Sequence, residues 1–299
     1  MRTLLATLLL LFGALPLSPV PWMAPAPVAA NPRAGLDDEV DDDDDDEDTA
    51  TDAEDDDDDT WPRFEPATRR FSPGTAYTLP AGRFETGVFG PLRYGLTDDL
   101  ELSAHPLWFF VWPGVTAKKQ WMHHGAWTIA TSHSLEVPTP FLRLIQVDGT
   151  GGIIPTDNTI PWFLQTEQRM IVTAEWAPGH DVTWYMGFIA AAHAGGMRMD
   201  TIDYPLAYPR LSALYNGLSL RAGLDLDGRL RGDFYYSVDF DLFVLPEDET
   251  RFAFEHSAGV SYRFGRRWSV FVGYKYAWSQ LPFGSERVFL PLVDVTWGF

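Results

Sequence analysis

From about residue 71 onward, apolar and polar side chains alternate one by one along the chain. In 268–278 the even positions are Trp268, Val270, Val272, Tyr274, Tyr276 and Trp278, with Ser269, Gly273, Lys275 and Ala277 between them. Segment 251–264 sets Phe252, Phe254, Ala258, Val260, Tyr262 and Phe264 against Glu255, Ser257, Gly259, Ser261 and Arg263. Segment 232–244 sets Phe234, Tyr236, Val238, Phe240, Leu242 and Val244 against Asp233, Ser237, Asp239 and Asp241. Successive side chains of a strand point to opposite faces, so each segment is a strand with one oily and one wet face.

The same reading, weaker toward the N-terminal half, predicts strands at 83–96, 100–110, 115–122, 126–135, 164–177, 182–193, 211–226, 232–244, 251–264, 268–279 and 287–299. Single-chain bacterial barrels normally close on an even number, so a twelfth strand is expected near 71–79, or else one early segment conceals a hairpin. The count is bounded at ten to fourteen.

Turns between the strands sort into two sets. Thr97-Asp98-Asp99, Pro178-Gly179-His180-Asp181, Asp227-Gly228-Arg229 and Gly265-Arg266-Arg267 are tight; 136–163, 195–210, 246–250 and 279–286 are longer. Short turns on one side and long loops on the other are the layout of periplasmic turns and extracellular loops in a transmembrane barrel. A soluble β-sandwich also uses period-two strands, but it has no reason to sort its loops, and its strands are shorter than these.

Composition sharpens the picture. Of the 299 residues, 45% are apolar and 14% aromatic, and there is no cysteine, which excludes disulfides, thiolate metal sites and a lipid anchor on cysteine. Beyond the leader no run of 18 apolar residues exists, so no transmembrane helix is expected. The net charge of −20 belongs to a tail. Residues 37–59 hold 18 of the 42 acidic side chains, leaving 24 against 22 Lys and Arg, a balance of about −2 for the rest. The charge therefore gives no reason to expect a nucleic-acid partner.

Residues 1–30 have the form of a cleaved signal peptide: Arg2, an apolar core over 4–17, and Val28-Ala29-Ala30 at the cleavage site. Residues 31–70 read as an acidic disordered segment, too charged to bury a core. Its carboxylates are hard oxygen ligands, but without a glycine turn or regular spacing they offer divalent cations only weak, non-specific capture. The barrel is expected over 71–299.

The chain ends Val293-Asp294-Val295-Thr296-Trp297-Gly298-Phe299. This resembles the C-terminal signal of bacterial outer-membrane β-barrel proteins of the porin-like kind, with Val293, Val295, Trp297 and Phe299 as the alternating apolar set. Residues 91–102, a strand, a Thr97-Asp98-Asp99 turn and a second strand, are similar to units of such barrels. The resemblance implies an all-β fold, a closed antiparallel transmembrane β-barrel of about 12 strands, with outer-membrane lipid and the barrel-assembly machinery as partners. One departure is Pro291 in the last strand, where it removes a ladder donor and belongs at an edge or bulge.

Turning the oily face outward places the other set in the lumen: Glu85, Arg93, Glu101, Lys118, Glu167, Arg169, Glu175, Arg221, Asp225, Asp239, Asp241, Glu255, Arg263 and Lys275, with Asp233 and Asp294. Mixed signs fit a structural ion-pair network, while the excess of acids would tilt a pore toward cations. A catalytic role finds little support. No His-x-Ser occurs among the seven histidines, and Ser132-His133-Ser134 and His256-Ser257 put neighbours on opposite faces. His123-His124 lacks a third metal ligand, and no cofactor is implied. Loop 136–163, with an apolar stretch at 139–145 and glycines at 149, 151 and 152, is a constriction, a rim lid, or a loop packed on itself. The function expected is a passive pore or transport channel for small polar solutes; a non-conducting structural, adhesion or docking barrel is the alternative.

Overall fold

The computed structural model describes residues 71–146, 154–202, 204–246 and 251–299. The leader, the acidic segment and the glycines of the long loop lie outside them. Twelve strands follow one another in the described residues: β1 Phe84–Gly87, β2 Leu92–Thr97, β3 Leu100–Ala104, β4 Gly114–His124, β5 Trp127–Glu136, β6 Trp162–Ala177, β7 His180–Ala194, β8 Leu218–Arg231, β9 Phe234–Leu245, β10 Arg251–Phe264, β11 Trp268–Leu281 and β12 Gly284–Gly298. Each pairs antiparallel with its sequence neighbours, and β1 closes on β12 through Glu85↔Gly298, Thr86↔Trp297 and Gly87↔Thr296. Two short helices, α1 Thr139–Gln146 and α2 Tyr208–Asn216, sit in the longest loops.

One end of the barrel carries only the tight turns 98–99, 125–126, 178–179, 232–233 and 265–267. Gly125, Gly179, Gly232 and Gly265 have φ of 59°, 73°, 55° and 57°, a left-handed backbone that a side chain would strain. The opposite end carries 137–161 and 195–217 with the shorter 88–91, 105–113, 246–250 and 282–283.

Several expected elements differ. The segment 83–96 is two strands, not one, because the chain reverses through 88–91; this supplies the even count. Residues 71–79 are not a strand. The segment 100–110 stops at Ala104, where Pro106 cannot donate to a ladder; Phe109 N–H then bonds to His105 O and Trp112 N–H to Trp108 O in helical turns. The front of 211–226 belongs to α2, and the turn placed at 227–229 lies inside β8, with the reversal at 232–233. Pairing of Gln280 with Ser285 and Leu281 with Gly284 shortens the expected loop 279–286 to two residues.

Pro291 pairs with Tyr274 without breaking the β11–β12 register. Phe299 and Phe84 exchange backbone bonds, and Val88 N–H reaches Val295 O, so odd-numbered residues of β12 aim their backbone groups at β1. Beyond Val295 no described strand pairs with that edge. The N–H that proline lacks would have pointed there, so the ladder loses nothing.

The outward face is oily on nearly every strand. Trp176, Trp184, Leu242, Phe264, Trp268, Val272 and Val293 are exposed. At the turn end the rings touch around the rim. Trp127 stacks on Trp184 at 6.0 Å, Tyr262 contacts Phe234 at 4.8 Å and Phe264 at 4.5 Å, and Trp297 lies between Trp268 and Phe299 at 6.2 and 5.2 Å. An apolar belt with an aromatic girdle, outside a cylinder with no free sheet edge along most of its circumference, is a surface for lipid.

Candidate functional site in the barrel lumen

The inner wall carries the charges. At the turn-end half of β1–β4, Arg93 bridges Glu85 (3.1 Å) and Glu101 (2.7 Å), and Lys118 adds a contact of 3.5 Å to Glu101. Cross-strand register places Glu85 opposite Arg93 and Glu101 opposite Lys118. All four are buried. On β6–β9, Arg221 grips Asp241 in a fork of 2.7 and 2.8 Å and reaches Glu167 at 3.0 Å, with Arg169 3.5 Å from Glu167. Tyr185 donates its hydroxyl to Asp241 and lies under both guanidinium groups. A third cluster centres on Glu255, fully buried, which accepts from Lys275 at 2.6 Å and from both terminal nitrogens of Arg210.

Gly223 faces Tyr185 across β7–β8, and a Cβ there would meet the phenol ring at 2.2 Å. Gly223→Ala should therefore push Tyr185 off Asp241 and lower stability by about 1–3 kcal/mol, read as a fall in the urea midpoint in detergent. An unchanged midpoint would mean the ring moves without loss.

Two elements enter the interior. Residues 71–80 bond to strands spread over half the circumference. Phe71 N–H reaches Glu85 of β1 (3.2 Å), Leu79 N–H reaches Glu101 of β3 (3.0 Å), and Lys118 of β4 donates to Thr75 O (3.2 Å). Ala76 N–H reaches Thr173 of β6 (2.7 Å), and the Tyr77 hydroxyl reaches Asp181 of β7 (3.3 Å). No segment outside the wall touches all of these. Burial and the neighbouring Asp181 push the Tyr77 phenol well above its ordinary range, so it stays a donor. The suspected twelfth strand is thus an internal strap. Gly95 faces its end: a Cβ there would strike Pro80 O at 2.1 Å.

From the loop end, α2 lies in the lumen. It contacts β6 and β11, five strands apart in the ring, and Arg210 reaches Glu255 of β10. Its Tyr208 and Ala213 pack with Ile189, Phe243, Leu245, Ala253 and Leu281, an apolar patch on the inner wall. Ser279 donates to Pro205 O at 2.9 Å, fixing the approach to the helix. Above α2, the two long loops share a core in which Leu142 of α1, Ile154, Ile160, Phe163, Ile202, Leu211 and Leu214 are buried together. The described parts of loop 136–163 are therefore neither packed on themselves alone nor a separate lid: with those of 195–217 they form one cap.

A cavity of about 680 Å³ lies in the turn-end half, against the strap. Its lining includes Glu175, Asp181, Asp225, Asp227, Asp239 and Asp294, with Arg229 and Arg263 the basic residues. All fourteen residues expected in the lumen lie on the inward-facing positions just described. Asp233 instead sits in the 232–233 turn. Missed were Asp181 and Asp227, assigned to turns, and Arg210, assigned to a loop. Histidines do not converge: His256 is on the outer wall, between Phe240 (4.4 Å) and Tyr274 (5.5 Å), and His133 bonds to Gln168 there. No group of three His, Cys, Asp or Glu placed to hold a metal ion occurs among the described residues.

Oily outside, charged inside and closed, the wall leaves one reading. The chain is a closed, twelve-stranded antiparallel β-barrel with a lipid-facing outer surface. No protein-family description matches this barrel, and no curated protein does. Among solved structures it is similar to the KdgM porin in complex with disordered oligogalacturonate, at 13% identity and a TM-score of 0.39, covering 73% of this chain and 96% of that one. It is also similar to the CymD monoaromatic hydrocarbon channel, at 11% and 0.32, covering 72% and 50%, and to a bacterial polysaccharide outer membrane secretin, at 10% and 0.35, covering 70% and 68%. Likeness at this level says nothing about what this barrel carries, and its own lumen is the better guide.

Proposed function

We propose that the barrel is an outer-membrane channel for small polar solutes whose passage is controlled by its two internal elements. The observation that carries this is the roomy, acid-lined cavity between charged walls. A purely structural barrel has no reason to enclose aspartates opposite one another, since like charges across a ladder are destabilising. Mixed ion pairs hold the wall, and the surplus acids face the cavity, where they favour cations. The turn end is periplasmic in this reading, the capped end faces outward, and Val293, Val295, Trp297 and Phe299 serve the assembly machinery.

The alternative, a non-conducting barrel, has one observation in its favour: the strap and α2 both occupy the lumen. Planar-bilayer recording in a salt gradient separates the two. The channel reading expects steps with a reversal potential on the cation side; silence, or anion preference, counts against it. Removing the strap by starting the mature chain after residue 80 should enlarge those steps.

A further inference from the structure

On three adjacent strands the inner wall sets aspartates face to face at successive heights. Asp225 of β8 stands opposite Asp239 of β9, and Asp227 of β8 stands opposite Asp181 of β7. All four line the cavity. Asp225 is only 6% exposed, and apart from the contact between their own two carboxyls, Oδ1 of neither Asp225 nor Asp239 is hydrogen-bonded to any other group. Cross-strand like charges and unpaired buried oxygens are each unfavourable, so selection for stability alone would have removed them. We propose that the cavity is a binding site for a linear diammonium solute, one nitrogen held between Asp225 and Asp239 and the other at Asp181 and Asp227.

The spacing suits that ligand. Asp225 and Asp227 are two residues apart and their partners lie on opposite sides of β8, so the pair centres are about 7 Å apart along the strand and about 5 Å across it, roughly 8 Å in all. Four methylenes span most of that distance, and each ammonium then reaches the carboxylates at its own end. The lining supplies aromatic faces as well as acids: Phe71, Tyr77, Tyr235 and Phe271. Such rings attract cations, and the chain already shows it, for the Arg263 guanidinium lies 3.6 Å over Tyr235 and 5.6 Å from Phe71. A metal ion fits less well, since no metal-holding group is formed there.

This inference rests on the solute-handling reading of the lumen, but its test does not require conduction. Titrating the folded full-length barrel in detergent with 1,4-diaminobutane, followed by calorimetry, should give saturable binding. Asp225→Asn with Asp239→Asn should weaken it about thirtyfold or more, the usual scale when a desolvated charge loses its partner. Asp181→Asn with Asp227→Asn should do likewise, and because both pairs remove like-charge contacts, retention of the barrel can be checked by heat-modifiable migration. Magnesium and 1-aminobutane should bind far more weakly. No saturable heat, equal binding by either double variant, or equal binding of 1-aminobutane would overturn the proposal. Binding without conductance would sink the channel reading alone; conductance without binding would sink this one.

Discussion

Arg93→Ala should cost about 3–5 kcal/mol of stability, the usual scale when one partner of a buried ion pair is removed. Arg93 is 3% exposed and is the link between Glu85 and Glu101. Without it both carboxylates stay in the wall with fewer partners: Glu85 keeps Arg83 at 3.1 Å and Glu101 keeps Lys118 at 3.5 Å. The damage spreads to the strap, because the same two carboxylates accept from Phe71 and Leu79 N–H. Urea titration followed by tryptophan fluorescence in detergent measures the loss, and limited proteolysis should show early cleavage within 71–80. Arg93→Lys should restore little, since one ammonium cannot replace a planar fork serving two acids. A loss below about 1 kcal/mol would mean that the cluster is water-screened like a surface pair.

Replacing 196–216 by a short Gly-Ser turn should give the largest rise in single-channel conductance of any loop change. A helix with its side chains is about 10 Å across. An eight-stranded barrel is filled by its own side chains and a sixteen-stranded one leaves an aqueous channel, so in a twelve-stranded barrel an internal helix decides which case applies. The cost falls on stability, because Phe243 and Leu245, both fully buried beside α2, would meet water at about 1.5–3 kcal/mol each. Glu255 would keep Lys275 but lose Arg210. Unchanged conductance would move the barrier to the strap, which the truncation after residue 80 tests separately.

The strands β8 to β12 were legible beyond their exact ends because each is long and its outward face has only lipid to answer to, which imposes strict alternation. Strands β1 to β3 have four to six residues, too few for a period to stand out. The strap carries no period because small and polar residues such as Thr75, Ala76 and Thr78 are surrounded on every side. In α2 the signal was present and misread: Tyr208, Leu211, Leu214 and Tyr215 recur at three and four residues, a helical spacing masked by the alternation that follows in β8. Asp227-Gly228 had the look of a turn. Gly228 is there for close approach instead, since a Cβ would meet His180 Nδ1 at 2.3 Å and the Tyr236 ring at 2.7 Å. That mistake hid Asp227, as the turn drawn over 178–181 hid Asp181, and with the two went half of the acid surplus. The charged wall residues were legible one by one; which acids lack a counter-charge depends on three-dimensional neighbours.

The meeting of the first and last strands sets how the cylinder fails. Three aligned residue pairs hold that joint, where β11 and β12 share a ladder along their whole length. β1 is held as briefly by β2, again through three pairs, so heat or harsh detergent should free β1 first, leaving the rest as a curved sheet. The edge of β12 beyond Val295, which β1 does not cover, carries a pyrrolidine ring at 291, and a stray strand laid along it meets a missing rung there, which protects the protein from stitching itself to its neighbours.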